Sequence, residues 1–509
     1  MADSWLDDLM RNAFSTNPTW RAPFRLLSRA MPLSLRGAVA LLGHIWIGAT
    51  TPAAAQWEIE SGERTTLSTF GANVFTTVTF DRTFNTTPVV VVLATSQGGD
   101  PSDLRIRNIT SSGFEVTPVE PPGNDGPHVS MTFHYVAMTP GVHILPTGET
   151  VVAGTHTTST VQRAGVVGGP SGYDTVSFGT NLGANAAIVA SIQTTNSETA
   201  SIPGAPSTPW LSVVMDNPSA TSVQMALERS EVASGTVLTE TIGYIAFPTG
   251  ASGGFEDVTN TNVDWSASTT SNSVVGFDNA CVTNSFTGSS FSSPRVVAGK
   301  VTRNGGDGGW FRRCSLSGTQ IGLQVDEDIA NDGERSHTNE TASLLAFSRS
   351  FHAEFQGLLT AAKSVEIMED PVNGPIGAFA IPGARARYTV DVTSVGSLPI
   401  DDGSVVFIDA LPPETSLIVA DIAGFGSGPV LFTDSSSGLT YNFSSLSNLS
   451  DDISFSNNGA ISFTYTPTEG GNGADPAVTH IRINPQGRFA PETSGITPAF
   501  QLQFDVIVE

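Results

Sequence analysis

The densest run of side chains able to do chemistry is Asp326-Glu-Asp-Ile-Ala-Asn-Asp-Gly-Glu-Arg-Ser-His-Thr-Asn-Glu340, six carboxylates and a histidine within fifteen residues. Calcium takes roughly six to eight oxygen ligands, so Asp326, Asp328, Asp332 and Glu334 form a candidate cation set. The spacing is not that of an EF-hand, because Asp326-x-Asp328 runs into Ile329-Ala330 before Asn331-Asp332-Gly333. Two other readings stand beside calcium. One is a solvated acidic loop partly neutralised by Arg335; the other is a polar edge whose carboxylates accept hydrogen bonds from sugar hydroxyls.

Two other stretches hold polar residues at a corresponding place. They are Asn124-Asp125-Gly126-Pro-His128, and Glu228-Arg-Ser-Glu231 with Thr239-Glu240. A polar loop repeated at one position is where a β-framework presents a ligand surface, although turns prefer the same residues. Asn124, Asp125, His128, His337 and Glu340 are therefore the candidate ligand-binding side chains, with Trp310 as an aromatic that could stack on a sugar face. Trp210 offers the same chemistry, and for both the competing reading is core packing. Trp57 and Trp265 read as packing residues. The sequence has no G-x-S-x-G elbow, H-E-x-x-H helix or P-loop. No rule selects a carboxylate pair for glycoside hydrolysis, and Leu145-Pro-Thr-Gly-Glu149 reads as a turn. The expectation is a protein without catalysis and with no cofactor beyond candidate calcium.

Short strands must position these loops. The clearest series is Val78-Thr-Phe-Asp-Arg-Thr-Phe84, Pro88-Val-Val-Val-Val-Leu93, Leu104-Arg-Ile-Arg-Asn-Ile109, Gly113-Phe-Glu-Val116 and Phe133-His-Tyr-Val-Ala-Met138. The order returns in Val176-Ser-Phe-Gly179, Ala186-Ala-Ile-Val-Ala-Ser-Ile192, Trp210-Leu-Ser-Val-Val-Met215, Ser222-Val-Gln-Met-Ala-Leu227 and Thr241-Ile-Gly-Tyr-Ile-Ala-Phe247. It comes a third time through Pro294-Arg-Val-Val-Ala-Gly299, Trp310-Phe-Arg-Arg-Cys314, Gln320-Ile-Gly-Leu-Gln-Val325 and Thr341-Ala-Ser-Leu-Leu-Ala-Phe347. The two-residue period is that of half-buried strands, and repetition over such lengths means tandem domains. The pattern changes beyond residue 354, and Phe500-Gln-Leu-Gln-Phe-Asp-Val506 alternates strictly, as an antiparallel strand with one buried face does. Only the N-terminus and Phe355–Ala362 carry helix signals. The fold class expected is all-β: tandem antiparallel β-sandwiches, the last immunoglobulin-like. The divisions are 1–55, 56–148, 149–250, 251–353 and 354–509.

With 23 basic against 48 acidic residues the formal charge is −25, a surface that repels nucleic acid. Arg25, Arg29 and Arg36, the apolar run 38–49 and Ala53-Ala-Ala55 follow the order of a secretory signal peptide, with cleavage expected after Ala55. Met31 is an alternative start. No later stretch has membrane-spanning length, so no transmembrane segment is expected in the mature chain. In an exported protein the two cysteines, Cys281 and Cys314, form a disulfide by default, two free thiols being the alternative.

The first repeat resembles the H-type lectin domain in Val78-x-Phe80, Phe84, Pro88-Val-Val-Val, Leu104-Arg-Ile-Arg-Asn-Ile-Thr110, Gly113-Phe-Glu-Val116 and Tyr135-Val-Ala137. That resemblance implies a six-stranded antiparallel sandwich, commonly trimeric, that binds N-acetylgalactosamine or related sugars. Where the family often carries a Trp and an Asp before its last strand, this chain has Glu120-Pro-Pro-Gly-Asn-Asp125, so the fold carries over better than the sugar specificity. The C-terminal part resembles a conserved extracellular repeat of bacterial surface proteins, through Lys363, Ile381-Pro-Gly383, Tyr388-Thr-Val390, Asp409-x-Leu-Pro412 and Phe463-Thr-Tyr-Thr-Pro467. Such repeats serve as stalks and spacers. The sequence thus points to a secreted or cell-surface protein whose partners are glycans or cell-surface components, with homo-oligomerisation as a further expectation. A structural spacer is the alternative function, and an extracellular hydrolase ranks behind it.

Overall fold

Alternating residues make strands with one buried face, whereas continuous apolar runs mark strands covered on both faces. The computed structural model describes residues 57–71, 74–198, 202–286, 290–492 and 496–509, and the backbone of 45–49. Among these residues regular structure is nearly all strand, with a short 3-10 turn at Gly165–Val167 and no α-helix.

After β1 (Ile45–Ala49) come β2 (Trp57–Thr65), β3 (Thr76–Thr79), β4 (Val89–Leu93), β5 (Asp103–Thr110), β6 (Gly113–Val119) and β7 (Thr132–Met138). They form a first sandwich, β2-β7-β4 facing β3-β6-β5. β8 (Gly141–Ile144) then adds to the edge of a second sandwich, built from β9 (Thr150–Thr158), β10 (Val161–Gln162), β11 (Asp174–Ser177), β12 (Ala186–Ile192), β13 (Ser212–Asp216), β14 (Ser222–Glu228) and β15 (Glu240–Pro248). Its sheets are β12-β15-β9-β8 and β10-β14-β11, with β13 also on β14. β16 (Ser252–Glu256) adds in the same way to a third, built from β17 (Asn262–Thr269), β18 (Val282–Ser285), β19 (Arg295–Lys300), β20 (Trp310–Leu316), β21 (Gln320–Asp326) and β22 (Ala342–Phe347). Finally β23 (Phe351–Phe355) returns to the first sandwich and pairs with β2, Phe351 opposite Ser61 and Phe355 opposite Trp57. Each sandwich lends its last strand to the next, and the third lends to the first. The three therefore close into a ring.

The middle of that ring explains the runs that do not alternate. Val89-Val-Val-Val-Leu93 is buried at every position, because one face of β4 covers its own sandwich and the other meets β12, β15 and β19. One apolar cluster accordingly runs through all three sandwiches, from Ile59 and Val91 through Val189 and Phe247 to Val297 and Phe347. The first and second sandwiches add cores of their own between their sheets. Gly299 sits at the closest approach: a Cβ there would lie 2.4 Å from the Ile188 carbonyl oxygen and 2.8 Å from Met215 Cε.

Arginines lock the seams between sandwiches. Arg105 Nε donates to Glu198 Oε1 at 2.5 Å, Arg303 Nε to Glu228 Oε2 at 2.6 Å, and Arg312 to the carbonyls of Thr95, Gln97 and Asp100. Gln193 imitates a strand partner for β4, accepting from Val90 N–H at 3.1 Å and donating to its carbonyl at 2.7 Å. Charged side chains buried this way stay favourable because each has its partners.

The remaining strands form a fourth sandwich. β24 (Leu359–Glu369), β25 (Arg385–Ser394), β26 (Val405–Ala410), β27 (Thr415–Ile418), β28 (Leu431–Ser435), β29 (Ile453–Ser456), β30 (Ala474–Asp475), β31 (His480–Ile483) and β32 (Ala499–Val508) make the sheets β24-β25-β32-β27-β30, with β28 on β32, and β26-β31-β29. Lys363 Nζ reaches Asp409 Oδ2 at 2.7 Å between the two sheets, both side chains buried. The helix expected over Phe355–Ala362 is not formed. Phe355 ends β23 and Leu359 opens β24, where pairing with β25 supplies the backbone hydrogen bonds a helix would have made. β1 pairs antiparallel with β26, Ile45 opposite Asp409 and Ala49 opposite Val405, so part of the apolar run 38–49 is a strand here. Met31, Ala53 to Ala55 and the expected cleavage point lie outside the described residues.

Candidate functional site

The acidic run of the third sandwich divides between buried and exposed positions. Asp326 leaves β21 fully buried between two guanidinium groups, Arg312 at 2.6 Å and Arg335 at 2.6 Å. Asp328 accepts the backbone N–H groups of Glu231 and Ala330, each at 3.0 Å. Asp332 and Glu334 stand exposed in turns, where they accept from the amides of Glu334 and Ser336. These four carboxylates do not converge on a common point, because two are consumed by arginines and amides.

His337 and Glu340 are brought together, but in the interior. His337 Nε2 is 2.9 Å from Glu340 Oε1, and its Nδ1 is bonded to Glu327. Burial works against the imidazolium, yet the two carboxylates raise the His337 pKa above its ordinary value. Burial likewise penalises the Glu340 carboxylate, but His337, Lys300, Thr302 and the Gly305 amide bring its pKa down to about 2. Glu340 fastens the loop after β19 through Thr302 Oγ1 and the amides of Asn304 and Gly305. Glu240 does the same in the second sandwich with Thr194 Oγ1 and the amides of Asn196 and Ser197. The repeated glutamate is a loop fastener.

Other expected binders are buried too. Trp310 packs on Trp210 with ring centroids 4.6 Å apart and donates Nε1–H to the Ser102 carbonyl at 2.9 Å. The pair belongs to a small core with Val119, Ile202 and Val232, where three sandwiches meet, so neither indole offers a face to a ligand. His128 is buried, its Nε2 3.1 Å from Ser102 Oγ and its Nδ1 2.9 Å from the Val129 carbonyl. Asn124 folds back on the Pro121 carbonyl at 3.1 Å; Asp125 is exposed. Cys281 and Cys314 are joined in a disulfide.

The ring nevertheless unites the three loops that the repeats share. β6, β14 and β21 are corresponding strands, and the segments following them meet at one end of the ring around a cleft of about 340 Å³. Pro122 and Gly123 come from the first sandwich, Glu231 to Ser234 and Val166 from the second, and Ala330 and Asn331 from the third. Asp328 Oδ2 on the amide of Glu231 and Asn331 Nδ2 at 3.5 Å from Glu231 Oε1 tie the second and third loops. Gly123 lies so near Ile329 that a Cβ would come within 3.0 Å of its side chain.

Electrostatics set this cleft apart. Glu231 is pushed up to about 7, first by burial and then by Asp328, Asp332, Asp307 and Glu327. Glu120, at the root of the first loop, is also pushed up to about 7, by burial together with Asp100 and Asp125. The cleft therefore sets one carboxyl group that titrates near neutrality, Glu231, beside apolar walls from Val166, Val232 and Pro122, while Glu120 lies buried behind it. Sequence reasoning saw the three loops but not that Glu231, Val232 and Val166 share one cleft with Asn331. The usable signal was that all three loops follow the same strand of the repeat.

No protein-family model matches the chain, and no solved structure matches it. It is similar to Halomucin of Haloquadratum walsbyi, 25% identical over 374 residues, which takes in 69% of this chain and 4% of Halomucin. The chain thus spans a small fraction of the length of that relative.

Proposed function

We propose that this is an exported, non-catalytic recognition protein that binds glycans at the three-loop cleft. The observation that carries the reading is the convergence of three corresponding loops on a cleft of about 340 Å³ with the Glu231 carboxyl and the Asn331 amide beside apolar walls. Sugar rings present hydroxyl donors on their edges and C–H surface on their faces, and this wall chemistry accommodates both. The ring of three sandwiches is in keeping with the resemblance to a lectin domain that assembles in threes. Export is supported by the disulfide and by the likeness to Halomucin. Among the described residues no helix is long and apolar enough to cross a membrane.

The test is a glycan array with the purified full chain and with Glu231→Ala, in calcium and in chelator. Binding of a sugar class by the wild type, lost in the variant, is the expected result; silence on every glycan with the protein folded overturns it. N-terminal sequencing of the exported protein should begin at Gln56. A second reading, a spacer in a larger assembly, is favoured by the small share of Halomucin that the chain covers. An unresponsive array would point there.

A further inference from the structure

The three seams of the ring differ in how the chain closes them. β8 reaches β9, and β16 reaches β17, through turns at 145–149 and 257–261, whereas β23 meets β2 from the far end of the three-sandwich unit. At that third seam the register sets His352 opposite Glu60 and Glu354 opposite Glu58. Corresponding pairs elsewhere are Val142 with Val152 and Ile144 with Thr150, then Ser252 with Ser266 and Gly254 with Asp264. The seam without a short tether is the one given an imidazole among carboxylates.

The geometry around His352 is that of a ligand already oriented. Its side chain is 1% exposed, and Nδ1 lies 2.8 Å from Glu60 Oε2. Glu60 is itself held by the Tyr135 hydroxyl at 2.5 Å and the Asp81 amide at 3.0 Å. A carboxylate behind one ring nitrogen fixes the ring and, once the other nitrogen gives up its proton, leaves that lone pair directed outward, which is how metal-binding histidines are supported. Nε2 has no hydrogen-bond partner, although it is buried. It lies 3.7 Å from Glu58 Oε1 and 3.9 Å from Glu354 Oε1, too far for hydrogen bonds. Glu58 is steadied from behind, its Oε2 accepting the Asn85 amide at 2.7 Å. One ligand atom from each of Glu58, His352 and Glu354 lies within 4.8 Å of the others.

We propose that Glu58, His352 and Glu354 bind a divalent transition-metal ion, zinc being the best match, which staples β23 to β2 and closes the ring. Zinc bonds to nitrogen and oxygen set tetrahedral ligand atoms roughly 3.4 Å apart, so the observed spacings need only small side-chain shifts. Burial works against the His352 imidazolium, yet Glu58 and Glu60 raise its pKa to about 9, so zinc takes the place of the Nε2 proton; the two carboxylates then balance the ion's charge, and the fourth position is open to water from the partly exposed Glu354 side. Arg82, an exposed side chain 3.4 Å from Glu354 Oε1, would move aside. Calcium would be a poor occupant, since an imidazole suits zinc, copper or nickel.

The test is zinc titration of the chelator-stripped full chain by calorimetry, with thermal melting in parallel. One zinc per chain and a higher melting temperature are expected, with no response to calcium. Glu354→Gln, which alters a partly exposed side chain, should lose more than the ten- to hundred-fold typical of a supporting residue. His352→Gln should abolish binding. Cobalt in place of zinc should give the visible absorption of a tetrahedral site in the wild type and none in Glu354→Gln. Absence of stoichiometric zinc uptake overturns the proposal, as does uptake unaffected by Glu354→Gln or abolished instead by Asp332→Asn with Glu334→Gln.

Discussion

Replacing Asp326 by Asn removes one negative charge while keeping the side chain's shape. In the native fold that carboxylate lies fully buried between Arg312 and Arg335, and Arg312 is equally buried. Arg312 also donates to three carbonyls of the loop after β4, so the third sandwich is held to the first through it. Losing one partner of a buried pair strands the other charge, at a cost of about 3–5 kcal/mol. The three sandwiches span roughly 300 residues and share a core; at about 2.1 cal/mol/K of unfolding entropy per residue, each kcal/mol corresponds to about 1.6 °C. The expected fall in melting temperature is therefore about 5–8 °C, measured by scanning calorimetry. It should be the same in excess calcium and in chelator, because Asp326 is bound to arginines. A fall of less than about 2 °C would refute the ion-pair account, given that penalty. A fall seen only with calcium present would show that Asp326 is a cation ligand after all.

Glu231 ionises in the folded cleft only near pH 7, so the folded state holds an extra proton and stability is lost as pH rises from about 4.5 to 7. Glu231→Gln should remove that loss, gaining on the wild type between pH 5 and pH 8 in thermal melts; a variant uniformly less stable would contradict the assignment. Glu340 has a depressed pKa and His337 a raised one, so their contribution is present between the two transitions. It fades as pH falls from about 4.5 toward 2, and again as pH rises from about 6.5 through the raised histidine value; Glu340→Gln should flatten the acid limb of a melting-temperature profile. Reducing the Cys281–Cys314 bridge, whose ends are 33 residues apart, frees a loop whose closure is worth about 3–4 kcal/mol. A reduced and alkylated sample melting at the oxidised temperature would show that the bridge carries no such load.

Much of this architecture was legible residue by residue. Strict alternation in Phe500-Gln-Leu-Gln-Phe504 gave β32 and its buried face, and the tyrosines and phenylalanines of each closing strand marked the repeat. The shared core runs against the expectation of separate tandem domains: Val89 to Leu93 and Ala186 to Val189 are too continuous for the half-buried strands that expectation assigns them, because their second face meets the neighbouring sandwiches. What local pattern could not supply was the register between strands remote in sequence. Nothing in Phe351-His-Ala-Glu-Phe355 names Trp57 to Ser61 as its partner, so the ring and the His352 cluster were hidden. The acidic run misled for a related reason. Asp326 resembles a calcium ligand until Arg312, fourteen residues earlier on the paired strand, is placed against it. Trp310 looked like a sugar platform because its packing partner Trp210 comes from another repeat.

Ring closure through β23 is what assembles the loops, the cleft and the His352 cluster. Hydrogen–deuterium exchange of the intact chain measures it directly. The account predicts that peptides covering 351–355 exchange as slowly as those covering β7 in the same sheet, since both hydrogen-bond to β2. Exchange of 351–355 as fast as an exposed loop, with β7 still protected, would mean that the third sandwich does not return to the first.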